Sequence, residues 1–371
     1  MKQCDRKGQE KVFRLHLNQA ASCCTSYPVE LNHTKSFAYY TDLWQQEKQQ
    51  LDQGQEILSC ETCWKKENKG LSSYRLPDPG TADNLIEIFT SNLCNQMCSY
   101  CSPKFSSTWE ESIRDHGKFN NISTTAKNNQ TIVEIKSDHQ EHWFNEIGQY
   151  ISQQPENSIE LKLLGGEPLM QMANLRRLLE MNSKHVKQLI IQTNLNPPSQ
   201  RFLTWILENF PIEKLVFDIS IDSTPEYNHV PRAGFQSNLF MTNLELLTKH
   251  AVECRFTSVV SVLSIFDIVE FLKFLNQTGY STTFSQINNP NCLDPDLLPS
   301  EFKQRILDTH VTLPNLVKEI LTTPQKSVDL KLFEQYNYLK QYFTRTGIDP
   351  ATTSNTVFND YWRWLSNREF V

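Results

Sequence analysis

Between positions 94 and 101 the chain reads Cys94-Asn95-Gln96-Met97-Cys98-Ser99-Tyr100-Cys101, three thiols separated by three and then two residues. The run before it, Leu85-Ile86-Glu87-Ile88-Phe89, alternates and ends as a strand does, which sets the cysteines on the loop leaving a strand's carboxyl end. Thiolates so placed can hold three corners of an iron-sulfur cube and leave the fourth iron open to a ligand. Taken alone, they suit a structural zinc or a disulfide loop as well. Farther on, Leu161-Lys162-Leu163-Leu164 runs into Gly165-Gly166-Glu167-Pro168. Paired glycines let backbone approach a ligand closely, and the Glu167 carboxylate can accept bonds from an ammonium group. By itself such a motif is also a plain strand-to-helix turn.

Together, the CxxxCxxC loop and the later Gly-Gly-Glu-Pro resemble the radical S-adenosylmethionine superfamily. The resemblance implies a [4Fe-4S] cluster on Cys94, Cys98 and Cys101. Its open iron would chelate the methionine part of S-adenosylmethionine, and its electron would cleave the sulfonium to a 5′-deoxyadenosyl radical. It further implies that Tyr100 lies near the adenine and that Gly165, Gly166 and Glu167 receive the methionine amino group. Thr193 and Asn194, ending Ile191-Gln192-Thr193-Asn194, match a position that bonds the methionine carboxylate or the ribose. Ser220 and Asp222 match a Ser-Ile-Asp element that reaches ribose hydroxyls, with capping of the next helix as the other reading of Asp222. Arg232-Ala233-Gly234 resembles an Arg-x-Gly segment whose guanidinium pairs with the methionine carboxylate, the alternative being an exposed loop arginine. Val260 can offer backbone to the adenine or belong to an ordinary core strand. The implied electron donor is a flavodoxin- or ferredoxin-type reductant, and the implied substrate a peptide side chain or a small metabolite.

The first 80 residues hold a second set of thiols, Cys4, Cys23, Cys24, Cys60 and Cys63, in polar sequence with few apolar residues. A segment of this kind commonly folds around a metal, which replaces the burial it lacks. Cys60-x-x-Cys63 is a metal knuckle or a redox pair. The segment also resembles the SPASM and twitch accessory domains, with Asn18 standing where their cysteine-flanked glycine would be, between Cys4 and Cys23. That resemblance implies an auxiliary [4Fe-4S] cluster on Cys4, Cys23, Cys60 and Cys63, placed before the barrel as in a permuted member. A zinc site and unligated thiols are the alternatives. Cys24 and Cys254 have no assigned part; Cys292 is an acid, a ligand to the auxiliary cluster, or inert.

These residues need a scaffold, and the sequence from Leu85 to Ile287 supplies one by alternating short apolar runs with amphipathic runs, the pattern of consecutive βα units. Strands are expected at Leu85-Thr90, Ile159-Leu164, Gln188-Gln192, Leu215-Ser220, Arg255-Ser261 and Thr282-Ile287. The expected fold class is α/β: by resemblance, a partial (β/α)6 TIM-like barrel over 81–288, after a small cysteine-rich segment over 1–80. A polar, Asn-rich insertion over 110–138 reads as disorder or a substrate lid. The remaining part, 289–371, reads as a helical extension with runs near Ser300-Leu313 and Asp329-Thr346 and an aromatic end that covers its neighbours.

Composition narrows the classes. With 39% hydrophobic residues over 371 positions the chain can bury a sizeable core. A net charge of −6 gives no general attraction to polyanions, which disfavours a nucleic-acid substrate. No apolar run reaches the roughly 20 residues of a membrane span, and the basic, polar N-terminus lacks a signal-peptide core. Ten cysteines, mostly clustered, then point to metal or redox chemistry in the cytoplasm. Two alternatives stay beside the main reading: a nucleoside- or RNA-modifying enzyme of the same superfamily, and a non-catalytic iron-sulfur or zinc protein on the same scaffold.

Overall fold

Leucine-, isoleucine- and valine-rich runs become strands and the amphipathic runs between them become helices. The computed structural model describes residues 4, 6–7, 9–70, 73, 84–123, 139–287, 289–309, 311–325 and 329–368. It opens with β1 (Glu10–Arg14), β2 (Gln19–Ala21), β3 (Val29–Glu30), α1 (Phe37–Asp52) and α2 (Glu61–Glu67). Next come β4 (Leu85–Phe89), β5 (Met97–Cys98), α3 (Ser107–His116), α4 (Gln140–Ser152), β6 (Ile159–Leu164), α5 (Met172–Asn182) and β7 (Val186–Thr193). Then follow α6 (Arg201–Asn209), β8 (Leu215–Ser220), β9 (Arg232–Ala233), α7 (Ser237–Lys249), β10 (Glu253–Val260), α8 (Ile268–Thr278) and β11 (Ser281–Gln286). The chain closes with α9 (Ser300–Leu307), α10 (Asn315–Thr322), α11 (Asp329–Thr346) and α12 (Thr356–Ser366). All the strands expected from the sequence are present, as β4, β6, β7, β8, β10 and β11, and the architecture is mixed α/β with parallel strands.

Two compact units share these elements. The first comprises Met1–Asn92, Val133–Gln192 and Arg201–Val216; the second comprises Leu93–Ile132, Thr193–Gln200 and Phe217–Val371. These units cut the chain differently from a division at residues 80 and 288, because chain-distant segments pair in one sheet.

In the first unit the strand order is β7-β6-β4-β1-β2-β3. Strands β1, β4, β6 and β7 run parallel, and the β1-β2 and β2-β3 pairs are antiparallel. Val12, Phe13, Ile86, Ile88, Leu161, Leu163 and Ile191 are fully buried, and β4 alternates buried with half-buried residues, so its Ile86–Ile88 face is the more deeply packed one. The sequence reading of a core-poor N-terminal segment is corrected here. β1 lies in parallel register beside β4, and α1 buries Phe37, Tyr40, Trp44 and Leu51 along one stripe. Phe37 stacks on Tyr150 at 4.0 Å, and Tyr40 meets Trp143 edge-on at 5.5 Å. Few apolar residues suffice because the aromatic ones share a helix face and their partners come from α4, far along the chain.

In the second unit β8, from Phe217 onward, β10 and β11 lie side by side, and β10 and β11 are parallel. The short pair β5-β9 is antiparallel, with Cys98 opposite Arg232. The helix expected near Ser300-Leu313 is shorter, α9 ending at Leu307, and α10, which was not expected, starts after Pro314. Residues 124–138 of the expected insertion lie outside the described residues. The part before them is anchored: Phe119 is buried and stacks on Tyr338 at 4.9 Å, and Asn120 and Gln341 exchange two hydrogen bonds of 2.9 Å. Among the described residues no helix is long and apolar enough to cross a membrane.

Gly165, at the end of β6, has φ +83°, and a Cβ there would lie 2.9 Å from Phe89 Cβ. Gly165→Ala should therefore destabilise the protein by about 2–5 kcal/mol, the left-handed backbone and the overpacking adding together. Urea unfolding of wild type and variant measures the difference.

Candidate functional site

The cysteine loop of the second unit is held from several sides by groups distant in sequence. Ser106 caps α3 by accepting from Trp109 N–H at 3.2 Å, and its hydroxyl donates to the Gln96 carbonyl at 2.7 Å. Thr108 Oγ1 donates to the Cys94 carbonyl at 2.7 Å, Ser107 Oγ accepts from Cys94 N–H at 3.1 Å, and Trp109 Nε1 donates to the Cys98 carbonyl at 2.8 Å. From α11, the Tyr338 hydroxyl donates to the Ser99 carbonyl. The Tyr342 oxygen lies 3.1 Å from the Met97 carbonyl and accepts from Ala233 N–H at 3.2 Å. None of these residues stood out in the sequence. Only Ser106 carried a signal, as a capping residue before a helical run.

Cys94, Cys98 and Cys101 are half-buried and form no disulfide. Asn194 Nδ2 points at Cys94 Sγ from 3.9 Å and also donates to Asn95 Oδ1 at 3.1 Å. Arg232 Nη1 points at Cys98 Sγ from 3.7 Å. Burial pushes the Cys98 thiol up to about 12, against the pull of Arg232, so without a metal it keeps its proton at neutral pH and would release it on ligation. Gln96 is fully buried, with Oε1 at 3.7 Å from Cys98 Sγ and Nε2 finding no partner among the described residues. N–H donors aimed at two of the loop sulfurs and a spare buried donor fit a metal-sulfur cluster, whose sulfurs accept such bonds. Among the described residues no group of three or more His, Cys, Asp or Glu stands where it could hold a single metal ion.

Behind the loop lies a buried polar cluster. Asp222 is 1% exposed, and its Oδ2 accepts from Arg232 Nε and from the Tyr100 hydroxyl, each at 2.8 Å. Its Oδ1 accepts from Val259 N–H at 2.8 Å and from Arg232 Nη2 at 3.2 Å. Arg232 Nη2 also donates to the Tyr100 hydroxyl. Arg232 is therefore a buried ion-pair partner and not an exposed loop arginine, and Asp222 spends its carboxylate on Arg232, Tyr100 and β10 rather than on a helix cap. Burial opposes the Arg232 charge, but Asp222, Tyr100 and Cys98 outweigh it and keep the guanidinium charged. Gly234 lets β9 come this close: its φ is +92°, and a Cβ would lie 2.5 Å from the Asn95 carbonyl oxygen. Thr193 is buried, with Oγ1 accepting from Leu195 N–H at 2.9 Å; Ser220 Oγ lies 3.4 Å from Thr257 Oγ1; Val260 is buried at the end of β10. The second unit thus joins Asn194 to Cys94 and brings Cys98, Tyr100, Asp222 and Arg232 into one bonded network. Thr193, Ser220 and Val260 make contacts of their own outside it.

In the first unit, Gly165-Gly166-Glu167 follows β6. Glu167 is fully buried, its Oε1 accepting from Leu169 N–H at 3.0 Å, and Gln171 Nε2 braces the turn through the carbonyls of Gly165 at 2.9 Å and Glu167 at 3.3 Å. The same unit gathers Cys4, Cys23, Cys60 and Cys63 around one small cavity with Arg6, Thr25 and Ser26. Thr25 Oγ1 lies 3.5 Å from Cys23 Sγ and 3.9 Å from Cys63 Sγ. Burial pushes the Cys60 thiol up to about 11, with the Lys7 ammonium pulling the other way, and burial raises Cys4 as well. Lys7 is itself fully buried, paired with Glu47 at 2.5 Å and donating to Ser59 Oγ at 3.0 Å. The four cysteines thus converge on one cavity, with the buried Lys7–Glu47 pair close by. Cys24 is exposed, and Cys254 and Cys292 are buried.

No family model and no curated protein matches the chain. Among solved structures it is similar to native anSMEcpe with bound AdoMet, at 18% identity and a TM-score of 0.40 over 66% of this chain and 67% of that one. It is also similar to Streptococcus suis SuiB bound to S-adenosylmethionine, at 14% identity and a TM-score of 0.38 over 90% of this chain and 69% of that one. The chain thus spans about two thirds of the length of those structures. Likenesses this distant add nothing to the residues and distances above.

Arg232→Met leaves Asp222 buried without its cation and should destabilise the protein by about 3–5 kcal/mol, read by urea unfolding. A second expectation concerns pH. Asp267 Oδ2 accepts from Thr224 N–H and Oγ1, each at 2.7 Å, and burial raises its carboxyl from 3.8 to about 6. The unfolded chain ionises first, so this group's contribution is present below 3.8 and lost as pH rises through about 6. Asp267→Asn keeps an acceptor without titrating. Its stability relative to wild type should improve between pH 5 and pH 7, again read by urea unfolding.

Proposed function

We propose that the chain is a radical S-adenosylmethionine enzyme on a partial (β/α)6 barrel. In this reading it carries an auxiliary [4Fe-4S] cluster on Cys4, Cys23, Cys60 and Cys63, works in the cytoplasm with a flavodoxin- or ferredoxin-type reductant, and acts on a peptide side chain or a small metabolite. One observation carries the reading: three half-buried cysteines share a short loop, and their Cys94 and Cys98 sulfurs face the Asn194 and Arg232 N–H groups. Held by Cys94, Cys98 and Cys101, a [4Fe-4S] cluster would supply, from the external reductant, the electron for reductive cleavage of S-adenosylmethionine and so the hydrogen-abstracting chemistry.

The protein's own part is holding and orienting. Cys94, Cys98 and Cys101 act as thiolate ligands, and Asn194 and Arg232 donate to two of them, which fixes their orientation. Glu167, buried at the carboxyl end of β6, is the anion for the methionine ammonium, with Gly165 and Gly166 keeping backbone low beside it. Tyr100, Thr193, Asn194, Ser220, Asp222, Arg232 and Val260 are assigned to the adenosine and carboxylate ends of the cofactor. Asp222 and Arg232 already bond each other, so any such contact shares a formed pair and draws on no side chain that must first be ordered. Buried walls around the loop, Trp109 and Met97 among them, keep water from the reacting centre.

Anaerobically reconstituted protein given dithionite and S-adenosylmethionine should form 5′-deoxyadenosine, and Cys98→Ala should form none above background by liquid chromatography. Iron analysis of the same samples should return about eight iron per wild-type chain, the content of two cubanes. Equal product from wild type and variant would refute the assignment.

A further inference from the structure

A polar cavity of about 250 Å³ lies in the first unit, past the carboxyl end of β4 and beside the turn that follows β6. Thr90, Gln140, Met170, Gln171, Met172 and Asn174 line it, and among the described residues no charged side chain does. The carboxyl ends of parallel strands are where ligands of α/β folds bind, because the loops there are free to vary. Thr90 is 4% exposed, and its Oγ1 has no hydrogen-bond partner among the described residues. A buried hydroxyl left unpaired in a folded protein is uncommon and asks for a water or a ligand. Gln171 supplies a complement. Its Nε2 is spent on the carbonyls of Gly165 and Glu167, which fixes the amide plane, while its Oε1 accepts no bond among the described residues.

The cavity therefore offers a hydroxyl that can donate or accept, a fixed acceptor, and two thioether side chains. An ion would leave water here without an opposite charge to meet it, a strongly unfavourable transfer. A neutral group carrying one donor and one acceptor, with a short apolar stem for Met170 and Met172, matches every feature. We propose that this cavity binds a carboxamide: the side chain of asparagine or glutamine, or a peptide group, within a peptide. If the radical reading holds, this names a recognition point for a peptide substrate. Binding itself needs neither cluster nor S-adenosylmethionine, so it can fail or succeed independently of that reading.

The probes are N-acetylglutamine methylamide and its glutamate counterpart, which differ by one neutral amide against one carboxylate. Titration of each into the full chain is followed by calorimetry and by the Met170, Met172 and Thr90 methyl resonances. The glutamine probe should bind saturably and shift those methyl signals, with the glutamate probe at least 5-fold weaker. Thr90→Val keeps the shape and removes the hydroxyl, and should weaken the glutamine probe about 5-fold, the effect of one hydrogen bond. Thr90→Ser should restore it. If Thr90→Val does not fold, the comparison of the two probes on wild type, with the methyl shifts, decides alone. Absence of saturable binding, equal binding of both probes, or unchanged affinity in folded Thr90→Val would overturn the proposal.

Discussion

The second unit depends on one buried ion pair. Arg232 and Asp222 meet at 2.8 Å with side-chain exposures of 7% and 0%, and neither charge could stay there alone. The pair joins three chain-distant pieces: the loop after β8, strand β9, and the cysteine loop through Tyr100 and the Cys98 sulfur. A lysine could not replace Arg232, since the planar fork reaches both Asp222 oxygens, Tyr100 and a sulfur at once. The cysteine loop is thus shaped by contacts within the protein itself.

Around that pair, the loop's backbone groups are taken up by side chains from opposite directions in sequence. The cap of α3 holds it from just downstream, and Tyr338 and Tyr342, one turn apart on α11, hold it from the far end of the chain. Residues on one helix face four positions apart can serve neighbouring carbonyls, as a loop residue could not with the same precision. The C-terminal helices are therefore part of the loop's support.

The first unit uses the same chemistry differently. Its four convergent cysteines sit beside a lysine buried with its own carboxylate, whereas the loop cysteines are half-buried and faced by N–H groups. Its Gly-Gly-Glu-Pro turn also shows that a glycine can answer two demands. Gly165 is required by the approach of Phe89 and by its positive φ, whatever ligand the turn receives.

The sequence by itself determined β4, β6, β7, β8, β10 and β11 and the long helix α11, because apolar period and turn residues are local properties that packing did not override. It also determined which residues could do chemistry, since a CxxxCxxC spacing and a Cys-x-x-Cys pair restrict what the thiols can reach. It did not disclose that β1 joins the sheet beside β4, because a single five-residue strand in polar sequence carries little periodic signal. Nor could it reveal that Asp222, Arg232 and Tyr100 bond one another, that Tyr338 and Tyr342 grip the cysteine loop, or that Gln171 braces the turn after β6. Those are contacts between residues up to 245 positions apart, or between side chains whose geometry is fixed only once the strands have set their distances. Register and burial, which decide whether a charged side chain meets water or a partner, belong to the tertiary structure alone.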